Sequence, residues 1–261
     1  MGFVACSDDD DDDNTPSNTP SEPTENLIKE DPSLYNYYGA ELYTKSSFKY
    51  GRFEAKMKMA YGSGCISSMF LYYNDSYKGG SEPWNEIDIE VIGKSSTGFQ
   101  SNIISGSSSS KVTSEQIHTL DSRVDEDFHL YVMEWTPEYG AWYVDGKEVR
   151  RNNVGESKKQ VDVLTKNQSL RFNLWMSGDP GWVGIVSTKS VPCTQYIDYV
   201  KVSSYNEETK EFSELWTDDF DSFDSSRWSR GDWSMGLALE KPANVVVEDG
   251  VLQLKLTKEP K

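Results

Sequence analysis

Short stretches in which apolar and polar residues alternate follow one another from Tyr37 towards the end of the chain. Between residues 52 and 59, for example, Phe53, Ala55 and Met57 are separated by charged residues. Side chains of a β-strand point to alternate faces, so this pattern predicts a strand that is buried on one side. Seven further stretches have the composition of strands: residues 66–74, 99–104, 128–135, 141–144, 170–176, 196–202 and 251–256.

The connections between these stretches favour antiparallel pairing. Asp145-Gly146 and Asp249-Gly250 are dipeptides typical of tight β-hairpin turns. No stretch keeps a helical period for more than one or two turns. About ten strands at this spacing predict an all-β fold, a β-jelly-roll sandwich of two antiparallel sheets in which the curved sheet carries a concave substrate cleft.

The stretch 86–90 departs from ordinary alternation because each polar position carries a carboxylate. Glu86, Asp88 and Glu90 alternate with Ile87 and Ile89. In a strand the three acids share one face, and like charges this close raise one another's pKa values. One carboxyl group is then expected to stay protonated beside an ionised neighbour, as acid/base chemistry on a glycosidic bond requires. An ordinary charged face and a metal cluster are alternatives that the spacing alone leaves open.

Residues suited to binding a sugar polymer are expected beside this acidic row. Aromatic rings stack on the apolar face of a sugar, and amide groups form hydrogen bonds with its hydroxyl groups. Neighbouring strands and the segment before the row offer both types on the same predicted face: Phe70, Tyr72, Asn74, Trp84, Gln100 and Asn102. The pattern therefore predicts a polysaccharide cleft.

Composition narrows the class of partner. The chain has 261 residues, 36% of them hydrophobic, which is enough for one sizeable core. Its net charge of −17 argues against nucleic acids and anionic membranes, because no basic stripe is available to bind phosphates. A neutral polymer remains compatible, and the 13% of aromatic residues suit stacking on sugar rings. We expect a monomer.

The first 33 residues differ from the rest of the chain. They contain the aspartate run 8–13 and almost nothing apolar, which predicts a disordered acidic tail before a single catalytic domain at residues 34–261. Residues 3–7 resemble the end of a bacterial lipoprotein signal, in truncated form, so Cys6 is a candidate lipid anchor; an accidental likeness is the alternative, because the apolar core of such a signal is missing. An extracellular or cell-surface location follows. The three cysteines, Cys6, Cys65 and Cys193, are widely separated along the sequence, and this spacing indicates neither a disulfide framework nor a metal site.

The sequence around the acidic row resembles the family 16 glycoside hydrolases. Its motif Glu-Ile-Asp-Ile-Glu at residues 86–90 is the catalytic signature of that family. The resemblance spans residues 39–257 and is strongest in these segments: 39–43, 50–54, 67–72, 99–102, 134–137, 144–146 and 171–175. It implies an endo-acting, retaining hydrolase in which Glu86 is the nucleophile, Asp88 an auxiliary acid and Glu90 the acid/base.

The resemblance also implies a set of substrate contacts along the cleft. The residues at the matching positions are Phe70, Tyr72, Asn74, Trp84, Gln100, Asn102, Arg171, Asn173, Trp175, Trp182 and Trp233. For Trp175 and Trp233, a place in the hydrophobic core is the alternative.

Within the family, the unbroken spacing of the motif is similar to that of the lichenases, endo-1,3-1,4-β-glucanases that cleave mixed-linkage glucan such as lichenan or cereal β-glucan. Laminarinases, agarases and carrageenases tend to insert a bulge residue before the last glutamate, and no insertion is present here. A laminarinase and a xyloglucan-acting relative stay open as alternatives. So do two classes without catalysis, a lectin-like glucan-binding module and a surface scaffold.

The order of the segments resembles a circularly permuted member of the family. Residues 216–220, 226–228 and 231–233 match segments that normally open the domain, but here they follow the catalytic motif. Permutation is tolerated where the chain ends lie close together on the surface.

A structural calcium ion is a further implication of the resemblance. The matching positions are the side chain of Asp198 and the backbone oxygens of Asp219 and Gly250, and oxygen ligands suit Ca²⁺. An ordinary acid at the end of a loop is the alternative reading of Asp198. No cofactor for catalysis is implied.

Overall fold

The computed structural model describes residues 31–261, and nearly all of their regular structure is β-strand. The strands are β1 (Tyr35–Thr44), β2 (Gly51–Lys58), β3 (Cys65–Tyr72), β4 (Glu86–Ile92), β5 (Gly98–Ser107), β6 (Ser110–Val112), β7 (Gln116–Thr119), β8 (His129–Trp135), β9 (Tyr139–Val144), β10 (Lys147–Asn153), β11 (Ser169–Met176), β12 (Cys193–Asn206), β13 (Glu211–Asp218), β14 (Trp228–Arg230), β15 (Ser234–Met235), β16 (Ala238–Glu240), β17 (Val245–Glu248) and β18 (Val251–Pro260). The helical segments within residues 31–261 are one α-helix, α1 (Pro180–Val183), and 3₁₀ turns at Pro32–Leu34, Ser76–Lys78, Ser157–Lys159, Val161–Val163, Thr188–Ser190 and Pro242–Asn244.

The strands form two layers that are joined through β1. One layer has the antiparallel order β7-β5-β4-β3-β11-β1, with β14 paired to the end of β1. The other has the order β10-β9-β8-β2-β12, and β12 also pairs with β13 and β18. Because β1 pairs with β18 as well as with β11, the two layers are one folded sheet. The predicted jelly-roll sandwich is confirmed.

The hydrophobic core lies between the layers and follows the alternation in the sequence. Ile87 and Ile89 of β4 are no more than 1% exposed, and Phe53, Ala55 and Met57 of β2 are fully buried. All five belong to one cluster that spans both layers. The face of β4 that carries the acids therefore has to point away from the core, and this orientation is what makes a site on the outer face of that layer.

The predicted strands are present with altered ends. The stretch 66–74 stops as a strand at Tyr72, because the chain turns at Asn74 and Asp75, just before the 3₁₀ turn Ser76–Lys78. The structure holds more strands than the sequence pattern predicted, since segments as short as Ser234–Met235 are too short to show any alternation.

The domain begins at Asp31, three residues before the predicted boundary, and the 3₁₀ turn Pro32–Leu34 leads directly into β1. The rest of the predicted acidic tail, with Cys6, lies outside the described residues. Both ends of the described unit lie side by side, since Lys261 donates its backbone N–H to Leu34 at 2.9 Å. No helix within residues 31–261 is long and apolar enough to cross a membrane.

The segment after β13 is an integral part of the sandwich. Trp228 in β14 is 1% exposed, and its Nε1 donates to Asp218 at 2.8 Å. Its indole packs edge-on against Phe172 and Trp216, with ring centroids 6.2 and 5.8 Å away. The C-terminal segment thus closes the core beneath β11.

Replacing this tryptophan tests that role. Trp228→Ala leaves a cavity and removes one hydrogen bond to Asp218, so we expect the free energy of unfolding to fall by about 3–5 kcal/mol. Urea denaturation followed by fluorescence measures the change. Leu215→Ala is the control, because Leu215 is 52% exposed and its loss should change stability by less than about 0.5 kcal/mol. Equal stability of the two variants would show that the segment is dispensable.

Candidate active site

The acidic row lies in the middle of the first layer, where β4 runs between β3 and β5. Strand register fixes the neighbours of each acid. Across β3, Glu86, Asp88 and Glu90 face Tyr72, Phe70 and Ser68 respectively. Across β5 they face Ile104, Asn102 and Gln100. The register thus brings together acids, amides and aromatic rings that are distant in the sequence, as the strand pattern predicted for one face.

A cleft of about 830 Å³ opens over this face. A second hollow of about 540 Å³ continues past Glu90 and shares Glu90, Ile104 and Trp182 with the first. The walls of the larger cleft include Glu86, Glu90, Phe70, Tyr72, Asn74, Trp84, Arg171, Asn173, Trp175, Trp182 and Trp233. The smaller hollow adds Gln100 and Asn102. Each predicted substrate-binding residue therefore lines one of the two hollows, although their roles in binding stay predictions.

Asp88 differs from the two glutamates because it is sealed beneath the cleft floor. It is 2% exposed, and neither of its carboxylate oxygens has a hydrogen-bond partner among the described residues. Burial, followed by the charges of Glu86 and Glu90, raises its pKa well above the usual range, while Arg150 and Lys111 act in the opposite direction. A proton on Asp88 removes the cost of a bare carboxylate at this position.

Burial is also the largest influence on the pKa of Glu86. It raises the pKa of this carboxyl to about 7, against the lowering effect of a hydrogen bond from Trp84 and of the charges of Lys111 and Arg171. The Trp84 Nε1 donates to Glu86 Oε2 at 2.6 Å. The charge of Glu41 acts in the same direction as burial, and the value of about 7 is the net result of all these effects. Glu86 is therefore held in a fixed position by a donor that favours its ionised form.

Glu90 has the higher pKa of the two glutamates that face the cleft. Burial, followed by the charges of Glu86 and Glu115, raises this pKa to about 8. The hydrogen bond from Trp84 and the charges of Lys111 and Arg171 favour the ionised form of Glu86, whereas burial and like charges act on Glu90, so a proton shared by the pair favours Glu90. Near neutral pH the cleft thus holds an ionised carboxylate and a carboxylic acid on the same strand face.

A buried ion pair organises one wall of the cleft. Arg171 Nη1 donates to Glu41 Oε1 at 2.6 Å, and its Nη2 donates to Asn74 at 3.0 Å. The same guanidinium lies 4.8 Å from the ring of Tyr43 and 5.0 Å from that of Tyr72. One cation therefore fixes two aromatic rings and an amide that face the substrate side. Sequence reasoning missed Glu41, because only the register of β1 against β11 brings it here.

Tryptophans form the far walls of the cleft. Trp175 and Trp182 stand with ring centroids 6.1 Å apart on a small apolar cluster that includes Ile66, Ile92 and Val183. Trp182 also donates its Nε1 to Gln100 at 3.1 Å. On the opposite side, Trp233 packs against Tyr43 at 5.6 Å. Trp175 and Trp233 are half-buried and line the cleft, so neither is enclosed in the hydrophobic core, and their role in substrate binding stays a prediction.

A second layer of polar contacts supports β4 from below. Trp142 donates its Nε1 to the backbone oxygen of Asp88 at 3.0 Å. The guanidinium of Arg150, which is 5% exposed, lies 4.4 Å from the Trp142 ring and donates to the backbone oxygen of Ser101 at 2.9 Å. Burial is the main cause of the lowered pKa of Arg150, at about 10. Sequence reasoning missed both residues, since nothing in their local pattern points to β4.

The calcium prediction stays a prediction. Asp198 occupies a bulge of β12 against β2, where its carboxylate forms an ion pair with Lys56 at 2.8 Å. This pairing already neutralises the one charged ligand of the predicted set. Within residues 31–261, no three His, Cys, Asp or Glu side chains come together as a metal site, which also gives no support to a metal cluster at the acidic row.

Comparison with known proteins relates this arrangement to one family. Residues 21–201 match the model of glycosyl hydrolases family 16. A β-glucanase of Fibrobacter succinogenes is 46% identical over 233 residues, which cover 87% of this chain and 66% of that protein. A β-glucanase of Acetivibrio thermocellus is 35% identical over 176 residues, 67% of this chain and 48% of that protein. The chain thus matches between about half and two thirds of the length of these relatives.

Two solved structures that resemble this chain are also β-glucan hydrolases by their names. A prokaryotic lichenase derived from a mouse hindgut metagenome is 29% identical with a TM-score of 0.51, over 63% of this chain and 78% of that chain. The β-glucanase of Bacillus licheniformis is 27% identical with a TM-score of 0.53, over 64% of this chain and 71% of that chain.

The coupling between the glutamates is open to direct titration. Glu86→Gln removes a like charge, so we expect the pKa of Glu90 to fall from about 8 towards its usual range. Burial persists and keeps that pKa above 4.5. Carbon-13 NMR of labelled glutamate carboxyl groups measures it. Glu208→Gln, at an exposed position, is the control and should leave Glu90 unchanged. An identical Glu90 titration in both variants would contradict the coupling.

Proposed function

The chain belongs to glycosyl hydrolase family 16, and from this premise we propose that it is an endo-acting, retaining glycoside hydrolase that cleaves β-glucan by double displacement. The observation that carries the proposal is the pair Glu86 and Glu90 in one cleft, with the proton favoured on Glu90. An open groove walled by aromatic and amide side chains suits a bound polymer better than a chain end.

In the proposed mechanism, Glu86 attacks the anomeric carbon while Glu90 protonates the departing glycosidic oxygen. A glycosyl-enzyme ester forms on Glu86, and Glu90 then takes a proton from the water that cleaves it. Two inversions at the same carbon give net retention. Cα atoms four residues apart on a strand are separated by about 13 Å, so the two side chains have to lean towards each other to reach the spacing of about 5–5.5 Å typical of retaining enzymes.

Asp88 is assigned the auxiliary role between the two glutamates. Its burial without a hydrogen-bond partner favours the protonated form, and a protonated Asp88 adds no further negative charge beside Glu86. A carboxylic acid at this point is able to donate to Glu86 as the nucleophile leaves the ester in the second step.

The preferred substrate is proposed to be mixed-linkage 1,3-1,4-β-glucan. Two observations support this over 1,3-β-glucan or xyloglucan: β4 pairs with both neighbours without a bulge between Glu86 and Glu90, and the similar proteins include lichenases. A non-catalytic lectin-like module is the second candidate. It accounts for the aromatic walls but gives no reason for buried, crowded carboxylates.

Circular permutation of the domain is also proposed. Its support is the adjacency of Leu34 and Lys261, together with the pairing of β14 to β1, which places a late segment beside the first strand. In an unpermuted relative these two ends would be joined in one continuous chain, which requires that they lie close together.

Several finer properties remain proposals with less support. They are a structural calcium ion at Asp198, Asp219 and Gly250, a lipid anchor through Cys6 with a cell-surface or extracellular location, and a monomeric state.

A panel of polysaccharides tests the proposed specificity. We expect reducing ends to appear fastest from lichenan and barley β-glucan, and more slowly from laminarin, xyloglucan and carboxymethylcellulose. Linkage analysis of the oligosaccharide products gives the cleaved bond. Faster release from laminarin would favour a laminarinase, whereas binding to β-glucan without any release would favour the lectin-like module.

Azide rescue of two alanine variants distinguishes the roles of the glutamates. With an activated aryl β-glycoside, Glu86→Ala should regain activity with azide and yield an α-glycosyl azide, because azide enters from the face vacated by the nucleophile. Glu90→Ala should yield a β-glycosyl azide, because azide attacks the glycosyl-enzyme from the other face. Gain in rate and NMR of the products measure both outcomes. The opposite pairing of products would exchange the two assignments.

A further inference from the structure

The hairpin formed by β5 and β6 reaches over the cleft next to the nucleophile. Gly106 of β5 lies opposite Lys111 of β6. A Cβ on Gly106 would lie 2.3 Å from the backbone oxygen of Ser110, and its φ is +91°, so this turn depends on glycine. The backbone N–H of Trp84 donates to Gly106 at 2.9 Å. The hairpin is thereby attached to Trp84, two residues before the acidic row.

Lys111 extends from this hairpin onto the ring of Trp84. Its Nζ lies 3.4 Å from the ring centroid, and Lys111 lines the same cleft as Glu86. The edge of that indole donates Nε1–H to Glu86 Oε2 at 2.6 Å. The Lys111 ammonium group therefore contacts the Trp84 indole, and the indole in turn contacts the Glu86 carboxylate. A cation on the face of an aromatic ring is attracted to its electrons and draws density from the ring, which makes the N–H a stronger donor.

Lys111 differs from the other charged groups around Glu86 in its sign or in its pairing. Asp88 and Glu90 of the same strand and Glu41 of β1 are acids. Arg171 of β11 is the other cation, and its charge is already paired with Glu41 at 2.6 Å. Of the two cations, Lys111 has the larger lowering effect on the pKa of Glu86. It also acts on Asp88. A single exposed lysine thus lowers the pKa of two of the three acids in the row, Glu86 and Asp88.

We propose that Lys111 is a positioning residue for the nucleophile: its ammonium group, stacked on Trp84, stabilises the negative charge of Glu86 through the indole hydrogen bond and through space. This inference rests on the proposed hydrolysis with Glu86 as nucleophile. Lys111 itself transfers no proton and forms no bond with the substrate. Its contribution is to keep the attacking carboxylate ionised at lower pH than burial among acids would allow.

The test separates the charge of Lys111 from its packing. Lys111→Met keeps an unbranched side chain on the Trp84 ring but removes the charge, whereas Lys111→Arg keeps the charge. Lys147→Met, in the β9–β10 hairpin away from the cleft, is the matched control. The measurement is the pH profile of kcat/KM for a 2,4-dinitrophenyl β-glycoside of a glucan oligosaccharide. This leaving group departs without protonation, so the acidic limb reports the ionisation of the nucleophile alone.

We expect the acidic limb of Lys111→Met to move to higher pH. Loss of a nearby positive charge raises the pKa of Glu86, so the ionised fraction falls on that limb, and kcat/KM there drops on the order of three- to tenfold. On the plateau at higher pH, kcat/KM should stay within about twofold, since Glu86 is ionised in both proteins. Lys111→Arg and Lys147→Met should keep the limb of the wild-type protein.

Three results would overturn the inference. They are an unmoved limb in Lys111→Met, a uniform loss at every pH, which marks a structural role only, and an equal shift in Lys147→Met. Thermal unfolding of each variant shows that it is folded at the assay temperature. Failure of the proposed function gives a different result, because the wild-type protein would then release no product from any β-glucoside in the panel.

Discussion

Three carboxylates on one face of one strand are the constraint around which this domain is organised. The opposite face of β4 belongs to the core, so Glu86, Asp88 and Glu90 are confined to the same face of the strand. Desolvation and mutual repulsion both favour protons on the acids. A strand with this sequence would be costly to bury unless its surroundings let at least one carboxyl stay neutral, and that same requirement produces the acid and base of the proposed reaction.

The cations around the row lower the pKa values of Glu86 and Asp88, but they do not hold any acid of the row in its ionised form. Arg171 is held by Glu41 and fixes the aromatic wall, and Arg150 lies beneath the floor against Trp142. Lys111 approaches from above through Trp84. None of these three forms an ion pair with a member of the row among the described residues, so no carboxylate of the row is locked permanently in the charged state. Direct pairing with an arginine would depress a carboxyl pKa and remove the proton donor.

The strands and the residues that line the cleft could largely be predicted from the sequence, for a physical reason. Alternation at period two identifies strands and the face on which each side chain lies, so the acidic row and the residues of β3 and β5 were predicted together. The register between distant strands is set by the packing of the whole sandwich, and it is what brings Glu41 beside Arg171. A side chain on a hairpin, such as Lys111, follows no alternation rule at all. The calcium ligands depended on resemblance alone, and Asp198 in fact pairs with Lys56.

The claim that Glu86 is an ionised nucleophile within a crowded row is tested most directly by trapping the covalent intermediate. A 2-deoxy-2-fluoro glucan oligosaccharide with an activated leaving group should form a stable ester, because the fluorine slows its hydrolysis. Mass spectrometry of the digested protein locates the added sugar. The account predicts a single adduct on Glu86. An adduct on Glu90 or Asp88, or turnover without any adduct and with inversion at the anomeric carbon, would contradict it.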